Sequence, residues 1–120
     1  MTLRWEQVVI DCADPAALGR WWAEALGWVT VLDDPGAGEY EIRPAPEVLP
    51  GLLFGASPDG KAGKNRLHLD FRPADQRTEV DRLLALGARH ADVGQSGEES
   101  WVVLQDPEGN EFCVLSARTD

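Results

Sequence analysis

The sequence predicts an α+β chain built from two copies of one module, and three observations lead there. Segments with period-2 alternation, the mark of strands with two unlike faces, are interrupted twice by stretches of helical period. Each helical stretch is entered through Ala-Asp (Ala13-Asp14 and Ala74-Asp75) and closes on Leu-Gly (Leu26-Gly27 and Leu86-Gly87). Counting back seven residues from the two aspartates reaches Gln7 and His68, which sets those two side chains at equivalent positions. The expected organisation is one domain over 1–120, with a module at 1–56, a linker at 57–64 and a second module at 65–116.

The first strand is expected over Trp5 to Cys12, with Val8 and Ile10 facing the helix and Gln7, Val9 and Asp11 facing away. Asp14-Pro15 starts a helix, because an aspartate caps free amides and proline fits the first helical position. Leu18, Trp21, Trp22, Ala25 and Leu26 follow the spacing of a buried stripe, so both tryptophans read as core rather than ligand-binding groups, and Gly27 ends the helix. A second strand, Trp28 to Leu32, is stopped by Asp-Asp-Pro-Gly-Ala-Gly, which turns the chain into a third strand at Glu39 to Arg43. Pro44, Pro46 and Pro50 make the next stretch a connection, and Leu52 to Ala56 is the fourth strand.

The second module opens on Asn65 to Asp75, where Leu67, Leu69 and Phe71 point one way and Arg66, His68 and Asp70 the other. Asp75 caps a helix with the stripe Val80, Leu83, Leu84, stopping at Gly87. His90 follows in a short strand or turn and reads as exposed. A strand at Trp101 to Gln105, a tight turn at Asp106 to Asn110 and a last strand at Glu111 to Leu115 complete the repeat, with Arg118 to Asp120 as a frayed tail. The last strand turns Phe112 and Val114 to one side and Glu111, Cys113 and Leu115 to the other. The linker contains a decoy: Gly55 to Ala62 spells all but the final position of a phosphate-binding loop, but Ala62 cannot hold magnesium and no apolar helix follows.

With 11 basic against 21 acidic residues, a net charge of −10, the surface repels nucleic acid and anionic lipid, and pairs such as Asp33-Asp34 and Glu98-Glu99 read as solvated loop charges. No apolar run is long enough for a membrane span and the first residues lack the pattern of a signal peptide, so a cytoplasmic location is expected. The two cysteines, Cys12 and Cys113, have no metal or disulfide spacing and read as reduced packing residues, with Cys113 also placed to line a cavity as a reactive thiol.

The run Gln7 to Gly27, the pair Leu67-His68 and the ending Leu104 to Phe112, with its Asp-Pro-Glu-Gly-Asn-Glu-Phe signature, resemble the vicinal oxygen chelate superfamily. Within that superfamily of glyoxalases, bleomycin-resistance proteins, fosfomycin-resistance enzymes and extradiol dioxygenases, the likeness is greatest to glyoxalase-like domains. The resemblance implies paired βαβββ modules whose curved mixed sheets form a partly open barrel, commonly in a homodimer. It also implies a divalent metal, Zn, Ni, Mn or Co, held by Gln7, His68 and Glu111; with no carboxylate offered by the fourth strand of the first module, Glu111 is the expected catalytic base and Asp70 the second choice. A glutamine in that set argues against oxygen activation, because nonhaem iron oxygenases use two histidines and a carboxylate. Glyoxalase I relatives add a glutamate from the fourth strand of the first module, and Leu52-Leu53-Phe54-Gly55-Ala56 has none.

Two functions therefore stand side by side. One is a metal-dependent lyase or isomerase acting on a small oxygenated metabolite. The other is a metal-free protein that sequesters a small molecule, resembling the bleomycin-resistance proteins. For either, Trp5, Phe54, Arg66, Asp70 and Trp101 are the expected pocket residues, since ligand pockets are mainly apolar with a few placed polar groups.

Overall fold

The computed structural model describes residues 2–119. Met1 and Asp120, the ends of the expected domain and of the expected tail, lie outside the described residues. The chain divides into two compact units between Gly60 and Lys61.

The first unit contains β1 (Gln7–Cys12), α1 (Pro15–Leu26), β2 (Val29–Asp34), β3 (Glu39–Arg43) and β4 (Gly51–Ala56). Its sheet runs β1-β4-β3-β2, with β1 parallel to β4 and the remaining pairs antiparallel. Asp14 accepts the Ala17 amide at 3.1 Å, as an N-cap should, and Gly27 closes the helix in the left-handed conformation at φ 70°. Leu18, Trp22 and Ala25 are buried, whereas Trp21 and Leu26 are only half-buried, so the stripe is narrower than its spacing suggests. Trp21 stacks edge-on against Trp22 with ring centres 5.0 Å apart. The helix lies so close to β3 that a Cβ on Gly19 would fall 2.2 Å from the Tyr40 ring, so no other residue fits at that crossing. Tyr40, Ile42, Leu52 and Phe54 complete the apolar layer, each contributing about 1.5–3 kcal/mol by burial. The second strand runs two residues further than expected, through Asp33 and Asp34, because Asp34 still pairs with Glu39 before the turn. Asp33 meets Arg20 at 3.3 Å and Asp34 accepts the Ala37 amide, so both acids organise their surroundings.

The second unit contains β5 (Leu69–Phe71), α2 (Gln76–Ala85), β6 (Arg89–His90), β7 (Val102–Gln105) and β8 (Glu111–Val114). Its sheet order, β5-β8-β7-β6, repeats the first topology with β5 parallel to β8. Asp75 accepts the Thr78 amide at 3.0 Å, and Val80 and Leu83 are buried. The ring centres of Phe71 and Phe112 lie 6.0 Å apart, edge to face. One expectation fails here: Leu67 is 89% exposed, because β5 begins at Leu69 and no ladder holds the preceding residues to the strand's alternation. The tail is also partly held, since the Arg118 amide donates to Pro73 O at 2.8 Å. Among the described residues no helix is long and apolar enough to cross a membrane.

Candidate ligand cavity in the second unit

In the second unit, register decides which side chains share a face. Leu69 lies opposite Phe112 and Phe71 opposite Val114, so these form the apolar side. Asp70 therefore lies opposite Cys113 on the other side, and Val103 of β7 joins them as the next partner of Cys113. That face, with the loops before β5 and β7, bounds a cavity of about 370 Å³. Val93, Trp101, Val103 and Leu115 supply its apolar walls, and Lys64, Asn65, His68, Asp70, Glu111 and Cys113 its polar groups. Trp101 is 44% exposed and offers an accessible aromatic surface.

The polar groups are already organised. His68 Nε2 lies 3.2 Å from Asp70 Oδ1. Glu111 accepts from Lys61 Nζ at 3.0 Å and from the Asn65 amide at 3.3 Å, while the same ammonium reaches Gly63 O. Burial pushes the Glu111 carboxyl up, but the Lys61 hydrogen bond, the amides of Glu111 and Asn65 and the Lys61 charge outweigh it and hold the group below the ordinary glutamate range. Cys113 is pushed the other way: burial first, then the charge and hydrogen bond of Asp70, raise its thiol, with Lys64 opposing. A raised thiol is a poorer nucleophile, which with its burial favours the packing role expected of Cys113 over the reactive thiol. Both cysteines are buried, and among the described residues neither is in a disulfide.

Glu111 is aimed by the preceding turn. Asp106, 1% exposed, accepts from the amides of Glu108 (3.0 Å) and Asn110 (2.9 Å) and from the Asn110 side chain. The signature thus stitches the β7-β8 turn from within and starts β8 at Glu111.

The other expected site residues are placed differently. Gln7 belongs to the first unit, half-buried at the start of β1 and opposite Gly51. Trp5 precedes that strand and is 65% exposed, and Arg66 is exposed outside the cavity lining. Phe54 is fully buried, in register with Ile10 and Tyr40, and so fills the first unit's core rather than facing a ligand. Two groups escaped the sequence reading. Lys61 lay in what read as linker, though a lysine just ahead of a histidine strand in so acidic a chain was a signal. Glu41, 7% exposed on β3, is held by Arg43 at 2.8 Å, and its Oε2 fills the room above Gly51, 2.7 Å from where a Cβ would stand.

Comparison with known proteins now bears on these units. The model of the glyoxalase-like domain family matches residues 7–115. The chain belongs to that family. No curated relative matches the chain. This glyoxalase-like protein shares its fold with solved structures of the glyoxalase/bleomycin resistance/dioxygenase superfamily, all at low identity. One such member, from Sphaerobacter thermophilus, is 17% identical with a TM-score of 0.68, covering 95% of this chain and 97% of that one. A variant of the fosfomycin resistance protein FosX from Listeria monocytogenes, complexed with Mn(II) and 1S,2S-dihydroxypropylphosphonic acid, is 11% identical with a TM-score of 0.71 over 98% and 92% of the two chains. TnmS3, an antibiotic binding protein from Streptomyces sp. CB03234, is 17% identical with a TM-score of 0.67 over 98% and 99%.

A metal held by Gln7, His68 and Glu111 can be tested against these groups. His68 and Glu111 do line one cavity, but the Glu111 carboxylate is already neutralised by Lys61 and hydrogen-bonded by Asn65. A cation there would have to displace the Lys61 ammonium from Glu111.

Proposed function

We propose that this glyoxalase-like protein binds a small organic molecule in the second unit's cavity and does so without a metal. The Lys61–Glu111 pair carries this reading, because it supplies the carboxylate that a metal-dependent lyase or isomerase would need with a cation from the protein itself. A volume of about 370 Å³ falls in the range of small-molecule pockets, and the wall composition of Trp101, two valines and a leucine beside a few polar groups suits a compact ligand with an aromatic or flat apolar part. Trp101 supplies a stacking surface, Lys64 a cationic donor for a ligand oxygen, and the His68–Asp70 pair an acceptor and donor at fixed spacing. The same class of role is supported by TnmS3, an antibiotic binding protein that shares this fold.

The test is a thermal-shift screen of bleomycin and a panel of aromatic and phosphonate antibiotics against chelator-treated and Mn- or Zn-loaded protein. A true ligand at one hundred times its Kd stabilises by about 2.7 kcal/mol, and the reading expects equal shifts with and without metal and their loss in Trp101→Ala. A ligand that stabilises only the metal-loaded protein would instead favour the lyase or isomerase.

A further inference from the structure

We infer that the cavity wall holds a cation site of different composition, formed by His68, Asp70 and Cys113 and suited to a borderline-soft divalent ion such as zinc. One donor atom from each of the three residues lies within 4.8 Å of the other two. The ion would sit at their centre with an imidazole, a carboxylate and a thiolate, a donor set of the kind zinc takes.

The spacing supports this. In a tetrahedral site with the usual zinc bond lengths, neighbouring nitrogen and oxygen ligands stand roughly 3.3 Å apart and nitrogen and sulfur roughly 3.6 Å. His68 Nε2 and Asp70 Oδ1 are already 3.2 Å apart. The sulfur lies within 4.8 Å of both, and the His68 and Asp70 side chains, 42% and 46% exposed, have room to turn toward Cys113, which is anchored in β8. Backbone register assists, because Asp70 and Cys113 are direct partners across the parallel β5-β8 ladder. A water would complete the four ligands that zinc takes. With Glu111 engaged by Lys61, Asp70 is, among the described residues, the cavity carboxylate without a lysine or arginine ion pair.

Binding forms a metal–sulfur bond, breaks the Cys113 S–H bond and releases its proton to solvent. The site does not rest on the binding function proposed above. It shares only His68 with the Gln7, His68, Glu111 set and lies wholly within one unit.

Cobalt(II) is the probe, because a thiolate ligand gives it a near-ultraviolet charge-transfer band that oxygen and nitrogen ligands do not. Chelator-treated full-length protein under reducing conditions is titrated with Co(II), followed by Zn(II). The expected result is a charge-transfer band saturating at one equivalent in wild type and in Glu111→Gln, its removal by zinc, and its loss in Cys113→Ser. His68→Ala and Asp70→Asn, substitutions of exposed side chains, should each weaken cobalt binding by about tenfold or more. Absence of the band in wild type, or its persistence in Cys113→Ser, overturns the site. Should Cys113→Ser fail to fold, wild-type cobalt affinity in His68→Ala overturns it as well. The cobalt titration is read without any organic ligand and the thermal shift of chelator-treated protein without any metal, so the two proposals fail separately.

Discussion

Replacing Lys61 by methionine tests the contact on which the functional reading turns. The variant keeps the length and apolar body of the side chain but leaves Glu111 facing an uncharged group. The pair is 3.0 Å long with side chains 23% and 12% exposed, between a surface bridge worth up to about 1 kcal/mol and a buried one whose breaking costs about 3–5 kcal/mol. A loss of about 2 kcal/mol follows at neutral pH. For 120 residues, at about 2.1 cal/mol/K each, the unfolding entropy is roughly 250 cal/mol/K, so Tm should drop by about 8 °C. The pH dependence gives a second handle. In wild type the Glu111 carboxyl is held low, so its contribution is present above its unfolded pKa and is lost as pH falls through the folded value. In Lys61→Met, burial still pushes the group up while the principal opposing partner is gone, leaving a neutral-pH penalty that protonation relieves. The gap between the two proteins should therefore narrow as pH falls below about 4.5. Thermal denaturation of chelator-treated protein across that range measures it. A variant melting within about 2 °C of wild type at neutral pH, or a gap that does not change with pH, would refute the role given to the pair.

Asp106→Ala removes the acceptor of two backbone amides and the Asn110 side chain in a buried turn, and should cost about 3 kcal/mol by chemical denaturation, with Asp106→Asn recovering part of it. Gly51→Ala places a methyl 2.7 Å from Glu41 Oε2 and 3.0 Å from Ile42 O, so it should destabilise by about 1–3 kcal/mol in chemical denaturation, and the double variant with Glu41→Ala should be more stable than the sum of the two single losses, since the nearest clash is gone while the backbone one remains. Glu99, held at about 2 by the amides of Ser96, its own and Gly97, should keep the 96–99 turn ordered down to mild acid; its contribution is present above the unfolded value and lost as pH falls towards 2, which a pH titration of the Ser96 and Gly97 amide resonances would follow. At neutral pH the Cys113 thiol should react with a maleimide more slowly than a free cysteine, and mass mapping of the labelled residue would show it.

Alternation was enough to place Asp70, Glu111 and Cys113 on one side of the second sheet, because a strand's two faces follow from period 2 wherever a ladder holds the chain; His68, just ahead of the ladder, reaches the same side through its contact with Asp70. Alternation failed at Leu67, one step before His68, where the ladder has not begun, and at Phe54, where parity alone does not say which face is buried until Ile10 and Tyr40 are found beside it. The caps Asp14 and Asp75 were legible since a capping bond spans three residues. Lys61 and Glu111 are fifty residues apart, and Glu41 meets Gly51 only through the β3-β4 pairing, so neither contact has a local trace.

The duplication itself sharpens what those hidden contacts mean. Gln7 lies opposite Gly51 at the start of the β1-β4 ladder, and β4 and β8 are the matching strands of the two sheets, opened by Gly51 and by Glu111. Gly51 and Glu111 are thus the same position in the two copies, a bare backbone in one and a carboxylate in the other. In the first copy the space is taken by Glu41, locked to Arg43; in the second the carboxylate is locked to Lys61. In each copy an acid at or beside this position, Glu41 in the first and Glu111 in the second, is paired with a basic side chain of its own unit, so the duplicated fold meets the same need for a counter-charge in two different ways.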